Sequence, residues 1–323
     1  MGGEREAGGL SVAVLGATGT AGRAATHALV RAGHQVTAFL RPGSASPVPE
    51  GARTRLLDLA ALPREGFGGE RFDALVSCLA SRTGAPSDAW AVDHRAQSAA
   101  LAAARRAGVG HFVLLSAICV QKPVLEFQHA KLAFEAELIA SGLTYSIVRP
   151  TAFFKSLSGQ IDRVRRGRPF LLFGDGRGTA CKPIADDDLG AFLAECLCRP
   201  DRRGRILPIG GPGPAITPRE QGEMLFELTG TRPRFRSIPL RALDGAVAAA
   251  GLLARVRPRL ADKAALARIA RYYATESMLV LDPATGRYDE AATPETGSRT
   301  LREHYAAVLA GAEAPHLREH AVF

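Results

Sequence analysis

The chain has 323 residues, of which 46% are hydrophobic, and a formal net charge of +9. A chain of this length can bury a large core in one α/β unit or two closely joined lobes. It lacks both an apolar run of the ~18 residues that a membrane-spanning helix needs and the alternation of basic and aromatic residues typical of single-strand binders. We therefore expect neither a transmembrane protein nor a nucleic-acid partner, and we interpret the excess of arginine as a solvated surface, with anionic ligands as the functional alternative.

The cysteines predict a reduced, cytoplasmic protein without a structural metal. They form neither a Cys-x-x-Cys pair nor a Cys/His cluster at zinc spacing. Only about ten residues precede the first strand-like stretch, so no signal or transit peptide is expected. The cysteines are Cys78, Cys119, Cys181, Cys196 and Cys198.

The first predicted strand, LSVAVLG (residues 10–16), runs directly into a glycine-rich turn, GATGTAG. Gly16, Gly19 and Gly22 are spaced three apart, and a helix-like stretch follows to about Gly33. Such glycines allow a tight turn and close approach to a pyrophosphate, while the helix N-terminus supplies free N–H groups. The pattern predicts a dinucleotide-binding βα unit.

The second predicted strand, HQVTAFLRPG, ends in Arg41 with no acidic residue nearby. NAD-binding units usually carry an acidic residue here for the ribose hydroxyl, whereas an arginine accommodates a 2′-phosphate. The sequence therefore predicts NADPH as the cofactor. Asp58, which ends TRLLDL, is expected near the adenine edge.

Three further strands, FDALVSCLA (72–80), HFVLLSA (111–117) and LTYSIVRP (143–150), alternate with helix-like stretches, one of which runs from about residue 88 to 108. This alternation predicts an α/β fold with a Rossmann-type doubly wound parallel sheet. Ligands bind at the carboxyl ends of such strands. The predicted cofactor-binding residues are Gly16, Thr18, Gly19, Thr20, Ala21, Gly22, Arg41, Asp58, Leu79, Ala80, Lys131, Pro150, Thr151 and Phe153.

We expect an NADP-binding Rossmann domain over residues 8–150, to which residues 183–210 return as a helix and a strand. Residues 151–182 and 211–323 are expected to form a smaller C-terminal substrate lobe. Within it, LRALDGAVAAAGLLARVR (240–257) is an apolar helix with basic ends. We favour a role in the lobe core or in an oligomer contact for this helix, and binding to a membrane surface is the secondary alternative. The oligomeric state is left open.

The stretch EFQHAKLAFEAELIASG (126–142) predicts a helix with a lysine on its apolar face. A lysine there needs a partner for its charge, unless it snorkels from the edge of the face. Gln128 and Glu135 are assigned to the solvated face, and His129, roughly 160° from the lysine, is interpreted as a surface residue. The apolar face carries Phe127, Lys131, Phe134 and Leu138.

The glycine loop, Ser116 after a central strand and Lys131 on the next helix resemble the atypical, extended, NmrA-like branch of the short-chain dehydrogenase/reductase superfamily. The chain is also similar to the NADPH-dependent, ferredoxin-independent divinyl chlorophyllide a 8-vinyl-reductase family. One departure is Thr20-Ala21, where a bulkier pair is often found. The similar strings are SCLASRTG (77–84), HFVLLSAICVQKP (111–123), YSIVRPTAFFKSL (145–157), ACKPI (180–184), LPIGGPG (207–213), EQGEMLF (220–226) and ESMLVLDP (276–283).

This resemblance implies an oxidoreductase of chlorophyll or bacteriochlorophyll biosynthesis, and so of photosynthesis. Its reaction is reduction of the 8-vinyl group of divinyl chlorophyllide or protochlorophyllide to ethyl by hydride transfer from NADPH. The implied partner is a small tetrapyrrole that carries its own magnesium, so no metal site on the protein is expected. Peripheral contact with a photosynthetic membrane is a further expectation.

Carbonyl-reducing members of the superfamily place a tyrosine four residues before the lysine, and its phenol protonates the alkoxide. Phe127 occupies that position, which suits reduction of an alkene because no alkoxide forms. The predicted catalytic residues are Lys131, which holds the nicotinamide ribose, and Ser116. The predicted substrate contacts are Phe127, Phe154 and Cys119. Cys119, Tyr145 and bound water remain open as proton donors.

Two features of the lobe have alternative interpretations. Phe153, Phe154, Phe170 and Phe173 form either an aromatic wall for the macrocycle or plain core. Lys155, Lys182 or a nearby arginine is expected to bind the substrate's propionate.

Two other functions are compatible with the cofactor half of the chain. One is an NmrA-like regulator that senses NADP without turnover, and the other is a double-bond reductase of the isoflavone-reductase type. The similar strings in the second half of the chain and the retained Lys131 argue against the regulator.

Overall fold

The computed structural model describes residues 9–44, 47–257 and 260–313. Residue 8, where the predicted Rossmann domain begins, and residues 314–323, where the predicted lobe ends, lie outside the described residues. So do most of the residues on which the expectation of no leader peptide rests.

Within the described residues, one sheet of seven parallel strands has the order β3-β2-β1-β4-β5-β6-β8. The chain leaves β1 in one direction through β2 and β3, then returns to its other side with β4. This confirms the doubly wound sheet, with its switch point between β1 and β4. The sheet strands are β1 Ser11–Leu15, β2 Gln35–Leu40, β3 Arg53–Leu56, β4 Ala74–Ser77, β5 His111–Leu115, β6 Thr144–Pro150 and β8 Arg205–Ile209.

Helices cover both faces of this sheet, and each face has its own apolar core. On one face α1 and α8 cross closely, because a Cβ at Gly190 would lie only 2.5 Å from the backbone of Ala24. The described helices are α1 Thr20–Arg31, α2 Leu62–Glu65, α3 Pro86–Ala89, α4 Gln97–Arg106, α5 Glu126–Ala140, α6 Phe154–Leu157, α7 Ile161–Arg165, α8 Asp186–Cys198, α9 Pro218–Leu228, α10 Leu240–Val256, α11 Ala261–Tyr273 and α12 Leu301–Leu309.

The helix predicted from about residue 88 to 108 contains an irregularity. Its middle, Trp90–Ala96, is a π-helical turn that joins α3 to α4. Such turns are rare in proteins overall, and those that do occur are often found at functional sites. This one packs against α5.

The lobe is built around a small second sheet and its own apolar core. In that sheet β7, Phe170–Phe173, pairs in parallel with β9, Phe235–Ile238. A short antiparallel pair joins β10, Val280–Leu281, to β11, Tyr288–Asp289. The lobe core includes Phe154, Phe170, Phe226 and Tyr305.

The interpretation of residues 240–257 as lobe core is wrong. Helix α10 has no buried residue along its whole length and packs against α11. Three of its apolar side chains, Leu252, Leu253 and Val256, are 64%, 54% and 76% exposed. Among the described residues, no helix combines the length and apolar character needed to cross a membrane.

Candidate active site

The glycine loop is shaped by close backbone contacts that only glycine allows. Gly16 has φ +75°, and a Cβ there would lie 2.6 Å from the carbonyl oxygen of Cys78 after β4. A Cβ at Gly22 would lie 2.1 Å from the carbonyl oxygen of Gly16. At Gly19, in contrast, a Cβ would meet only the Gly16 carbonyl oxygen at 3.5 Å. The loop therefore packs closely against its own backbone and the end of β4, whereas the space beside Gly19, at the start of α1, is open.

The N-terminus of α1 is left free for an anion. Its capping residue, Gly19, provides no side-chain hydrogen bond, and its first turn has no acidic residue. Lys155 Nζ donates to Thr20 Oγ1 at 3.1 Å, and Arg23 donates to the carbonyl oxygen of Thr18 at 3.2 Å. Free N–H groups, a helix dipole and two cations make a fitting pyrophosphate site.

Lys155 therefore lies at the cofactor site, whereas the sequence offered it for the substrate propionate. It is accompanied by Asp186, the first residue of α8. Burial raises the pKa of Asp186 to about 6, and the neighbouring charge of Lys155 offsets part of this rise. The phosphate end of the site thus contains a carboxyl group that titrates close to neutral pH.

The two residues predicted for the adenosine half lie at the expected edge of the sheet. Arg41 is exposed and directly follows β2, which is hydrogen-bonded to β1. Asp58 is exposed beyond β3, where its Oδ1 accepts from the backbone N–H of Ala60 at 2.9 Å. That carboxylate closes a turn, and its contact with adenine stays a prediction.

The remaining cofactor predictions follow β4 and β6. Leu79 is half-buried and Ala80 exposed, and the Leu79 carbonyl oxygen accepts from Gln97 Nε2 at 3.3 Å. Thr151 is buried, and its hydroxyl donates to the carbonyl oxygen of Lys182. Pro150 and Phe153 flank it, buried and half-buried respectively. All lie at the carboxyl edge of the sheet.

Lys131 is held by a buried ion pair with Asp93. The distance from Lys131 Nζ to Asp93 Oδ1 is 2.9 Å, and the two side chains are 12% and 0% exposed. The same Oδ1 accepts from the backbone N–H of Ser81 at 3.3 Å. Asp93 Oδ2 is buried and has no hydrogen-bond partner in the part of the chain that the structure describes.

Sequence reasoning missed Asp93. It lies on the π-helical turn Trp90–Ala96, inside a stretch predicted only as helix. The signal that could have found it is a charged residue on an apolar helix face, the same signal that identified Lys131. Asp93 shares a helix face with the buried Ala96 and Ala100. Two opposite charges on apolar faces of consecutive helices were candidates for a pair.

Ser116 lies in a second buried charge network. Its hydroxyl donates to Glu135 Oε1, and the Glu135 carboxylate also pairs with Arg149 on β6. Because the Ser116 proton is directed at Glu135, the hydroxyl presents lone pairs rather than a proton to a ligand. Its catalytic role stays a prediction.

The assignment of Gln128 and Glu135 to a solvated face is wrong. Gln128 is 0% and Glu135 2% exposed. Gln128 accepts from the backbone N–H groups of Val124 and Leu125 and donates to the carbonyl oxygen of Cys119 at 2.9 Å. It ties the start of α5 to the loop after β5. His129 is exposed, as predicted.

Ser116 and Lys131 line the same narrow cleft. It lies between β5, α5 and the helix that contains the π-helical turn, and it brings together Lys131 and Asp93 of one charge network and Ser116 of the other. The lining residues are Asp93, Gln97, Leu114, Leu115, Ser116, Lys131 and Phe134.

Phe127 and Cys119 belong to an apolar cluster between the sheet edge and the lobe. Phe127 is 8% and Cys119 5% exposed, and both belong to the cluster that contains Ile269 of α11. Cys119 Sγ lies 3.9 Å from the hydroxyl oxygen of Tyr273, which sequence reasoning also missed. The substrate contacts predicted for Phe127 and Cys119 remain predictions.

Other residues considered for the substrate lie elsewhere. Phe154 and Phe170 are buried in the lobe core. The substrate contact predicted for Phe154 stays a prediction. Lys182 is 5% exposed, and its Nζ pairs with Glu295 Oε1 at 2.8 Å. Tyr145 is the second residue of β6, at the amino end of the sheet and away from the cofactor edge.

The chain matches the NAD(P)H-binding family over residues 16–200. A chloroplastic divinyl chlorophyllide a 8-vinyl-reductase of Oryza sativa subsp. indica is 49% identical, over 97% of this chain and 82% of that protein. Its Zea mays counterpart is 47% identical, over 97% and 83%. An NADPH-dependent quinone oxidoreductase of Escherichia coli, complexed with NADPH, covers 92% of this chain and 99% of its own, with 18% identity and a TM-score of 0.63.

The quinone oxidoreductase shares only the fold with this chain at that identity. The family match together with the glycine loop confirms the prediction of a nicotinamide cofactor. The residues present fit such a group at both ends. Lys155 and Arg23 lie at the phosphate end, and Lys131 lies on α5 next to the carboxyl end of β5.

We expect Lys155→Met to weaken NADPH binding by about tenfold, because a charge-assisted contact at the pyrophosphate is lost. Fluorescence titration of NADPH at low ionic strength measures this change. Lys263→Met removes an exposed lysine of α11 and serves as the control for net charge. Equal affinities of the two variants would contradict a phosphate contact by Lys155.

Proposed function

The chain belongs to the divinyl chlorophyllide a 8-vinyl-reductase family, and we propose that it reduces the 8-vinyl group of a divinyl chlorophyllide or protochlorophyllide to ethyl with NADPH. The observation that carries this proposal is the site around α5. It keeps a buried, ion-paired lysine and has phenylalanine where carbonyl reductases have their acid. The site thus retains the cofactor anchor without a group aimed at an oxyanion.

The family relationship favours this function over the two alternatives. The similarity to the rice and maize proteins covers 97% of the chain and thus includes the lobe. An NADP sensor needs no buried Lys131–Asp93 pair beside the nicotinamide. An isoflavone-reductase-type enzyme would share the cofactor site, but not the strings that continue through the lobe.

When bound, NADPH supplies the hydride that adds to the terminal carbon of the vinyl group. In this proposal Lys131 holds the nicotinamide ribose, and its bond to Asp93 keeps the lysine side chain in one position. Asp93 is itself immobilised on the π-helical turn by the N–H of Ser81. Ser116, with its proton donated to Glu135, offers an acceptor beside the lysine.

Phe127 removes a group that alkene reduction does not need. Hydride addition to a vinyl group conjugated with a macrocycle leaves negative charge that is spread over the ring. A phenol positioned for an alkoxide would have no target there. Phe127 instead packs in the apolar cluster between the sheet edge and α11, where a flat aromatic ligand gains contact area.

The purified protein, with NADPH and divinyl chlorophyllide, should shift the Soret band of the pigment to shorter wavelength. Lys131→Ala should lower turnover by about 100-fold, because misplacement of the nicotinamide is costly. Phe127→Tyr should reduce the vinyl group no faster than the parent protein. NADPH binding without any Soret shift would favour the sensor, and near-normal turnover of Lys131→Ala would contradict the anchor role.

We propose further that Arg41 makes the site selective for NADPH over NADH. The support is its exposed position directly after β2, next to the glycine loop. Arg41→Ala should lower the preference for NADPH by about tenfold or more. Arg31→Ala, in the last turn of α1, is the matched control. An unchanged ratio of the two dissociation constants in Arg41→Ala would refute the assignment.

We also propose that α10 rests on an anionic membrane surface, which suits an apolar pigment as substrate. Leu252, Leu253 and Val256 are exposed on this helix, and Arg255 and Arg257 accompany them. Its one acidic residue, Asp244, pairs with Arg271 of α11. Apolar side chains flanked by arginine are complementary to anionic headgroups.

Co-sedimentation with phosphatidylglycerol vesicles should be strong at low salt and weaken as salt is added. Replacing Leu252, Leu253 and Val256 by serine should abolish it, whereas serine at the exposed Leu56 of β3 should not. Equal sedimentation of both variants would contradict membrane contact. A dimer in solution that the triple serine variant converts to monomer would instead assign α10 to a second copy.

A further inference from the structure

The reduction of a vinyl group requires a proton as well as a hydride, and three of the residues described above do not supply it. Phe127 has no acidic hydrogen, and the Ser116 proton is donated to Glu135. Tyr145 lies at the amino end of β6, away from the cofactor edge of the sheet. Cys119 remains at that edge, together with any donor that another element brings to it.

Helix α11 of the lobe places two consecutive tyrosines at this edge. Tyr272 is 4% exposed, and its hydroxyl donates to the carbonyl oxygens of Cys119 and Lys122 at 2.9 and 3.2 Å. Its proton is therefore fixed in a link between α11 and the loop after β5. Tyr272 is a structural residue.

Tyr273 is bonded differently from its neighbour. Its side chain is half-buried, and its hydroxyl oxygen lies 3.9 Å from Cys119 Sγ, a distance at which a thiol accepts or donates only weakly. That thiol is the one hydrogen-bond partner of the Tyr273 hydroxyl among the described residues. The phenol proton is thus available to a ligand.

The position of Tyr273 connects it with the proposed site. Cys119 follows Ser116 by three residues in the loop after β5, and both tyrosines belong to the same apolar cluster as Phe127. The charge of Lys131 reaches this cluster, because it lowers the pKa of Cys119 against the larger opposing effect of burial. Cys119 thus connects the two residues: it is in contact with Tyr273 and senses the charge of Lys131.

We propose that Tyr273 is the catalytic proton donor of vinyl reduction, a role that rests on the proposed function. The hydride forms a C–H bond at the terminal vinyl carbon, and the π electron pair moves onto the inner carbon and the macrocycle. The Tyr273 O–H bond then breaks, its proton forms a C–H bond at the inner carbon, and a phenolate remains. The phenolate regains a proton from solvent water, so the reaction consumes one NADPH and one proton.

The surroundings of Tyr273 keep it in the acid form. Burial, and then the neighbouring Cys119, raise the pKa of Tyr273 well above its ordinary value. The phenol is thus fully protonated at neutral pH, and the carbanion it meets is a stronger base than a phenolate. In this proposal a phenol from α11 takes over the role of acid, and it protonates carbon rather than oxygen.

The test compares Tyr273→Phe with Tyr145→Phe, a matched loss of one phenol at the amino end of the sheet. Turnover is measured in H₂O and in D₂O, together with the dissociation constant of NADPH. We expect Tyr273→Phe to turn over about 100-fold more slowly, with a larger solvent isotope effect and unchanged NADPH affinity. Tyr145→Phe should match the parent protein in all three.

Two further variants separate the phenol from its neighbours. Cys119→Ala tests the neighbouring thiol: because Cys119 is a predicted substrate contact, its rate can fall, but its solvent isotope effect should equal that of the parent. Tyr273→His, which retains a ring donor, should recover part of what Tyr273→Phe loses. The proposal is overturned if Tyr273→Phe matches the parent in rate and isotope effect, if His and Phe are equally impaired, or if Cys119→Ala raises the isotope effect as Tyr273→Phe is expected to. A parent protein that binds NADPH but reduces no vinyl group would refute the proposed function instead.

Discussion

The buried ion pair between Lys131 and Asp93 is the constraint around which the site is organised. Removing both charges from water costs several kcal/mol, roughly, and their mutual attraction offsets this only in good geometry. The geometry depends on the π-helical turn Trp90–Ala96, which carries Asp93 to the 2.9 Å contact with Lys131 Nζ. Loss of either partner leaves the other charge buried and unpaired. The pair thus fixes the lysine in place, and α5 and the π-helical turn with it.

The two charge systems of the cofactor site have separate origins in the fold. At the phosphate end, Lys155 reaches the glycine loop from the segment after β6, and Asp186 approaches from the start of α8. At the end proposed for the nicotinamide, Lys131 is provided by α5 between β5 and β6. The site is therefore assembled only when the second half of the sheet has closed on the first. The lobe then adds Tyr273 from α11 to the wall that lacks a phenol at position 127.

The features that could be predicted from sequence are those with local causes. The strands follow from short apolar runs, and the glycine loop follows from a backbone that only glycine adopts at Gly16. Lys131 was found because it interrupts an apolar helix face. The failures concern long-range pairing. Glu135 was predicted on the surface, because its partners Ser116 and Arg149 are distant in sequence and only the folded sheet brings them to it. Lys155 was considered for the substrate, because the sequence does not show its contact with Thr20. Helix α10 was predicted as lobe core or oligomer contact because its composition is apolar, whereas it packs against α11 and buries none of its residues.

The central claim is that hydride reaches the terminal vinyl carbon while the proton is added to the inner carbon. Its most direct test is one turnover with NADPH deuterated at the transferred position, in ordinary water, followed by NMR of the product. The proposed chemistry predicts one deuterium in the methyl group of the new ethyl substituent and none in its methylene. Deuterium in the methylene, or oxidation of NADPH without deuterium in the pigment, would contradict it.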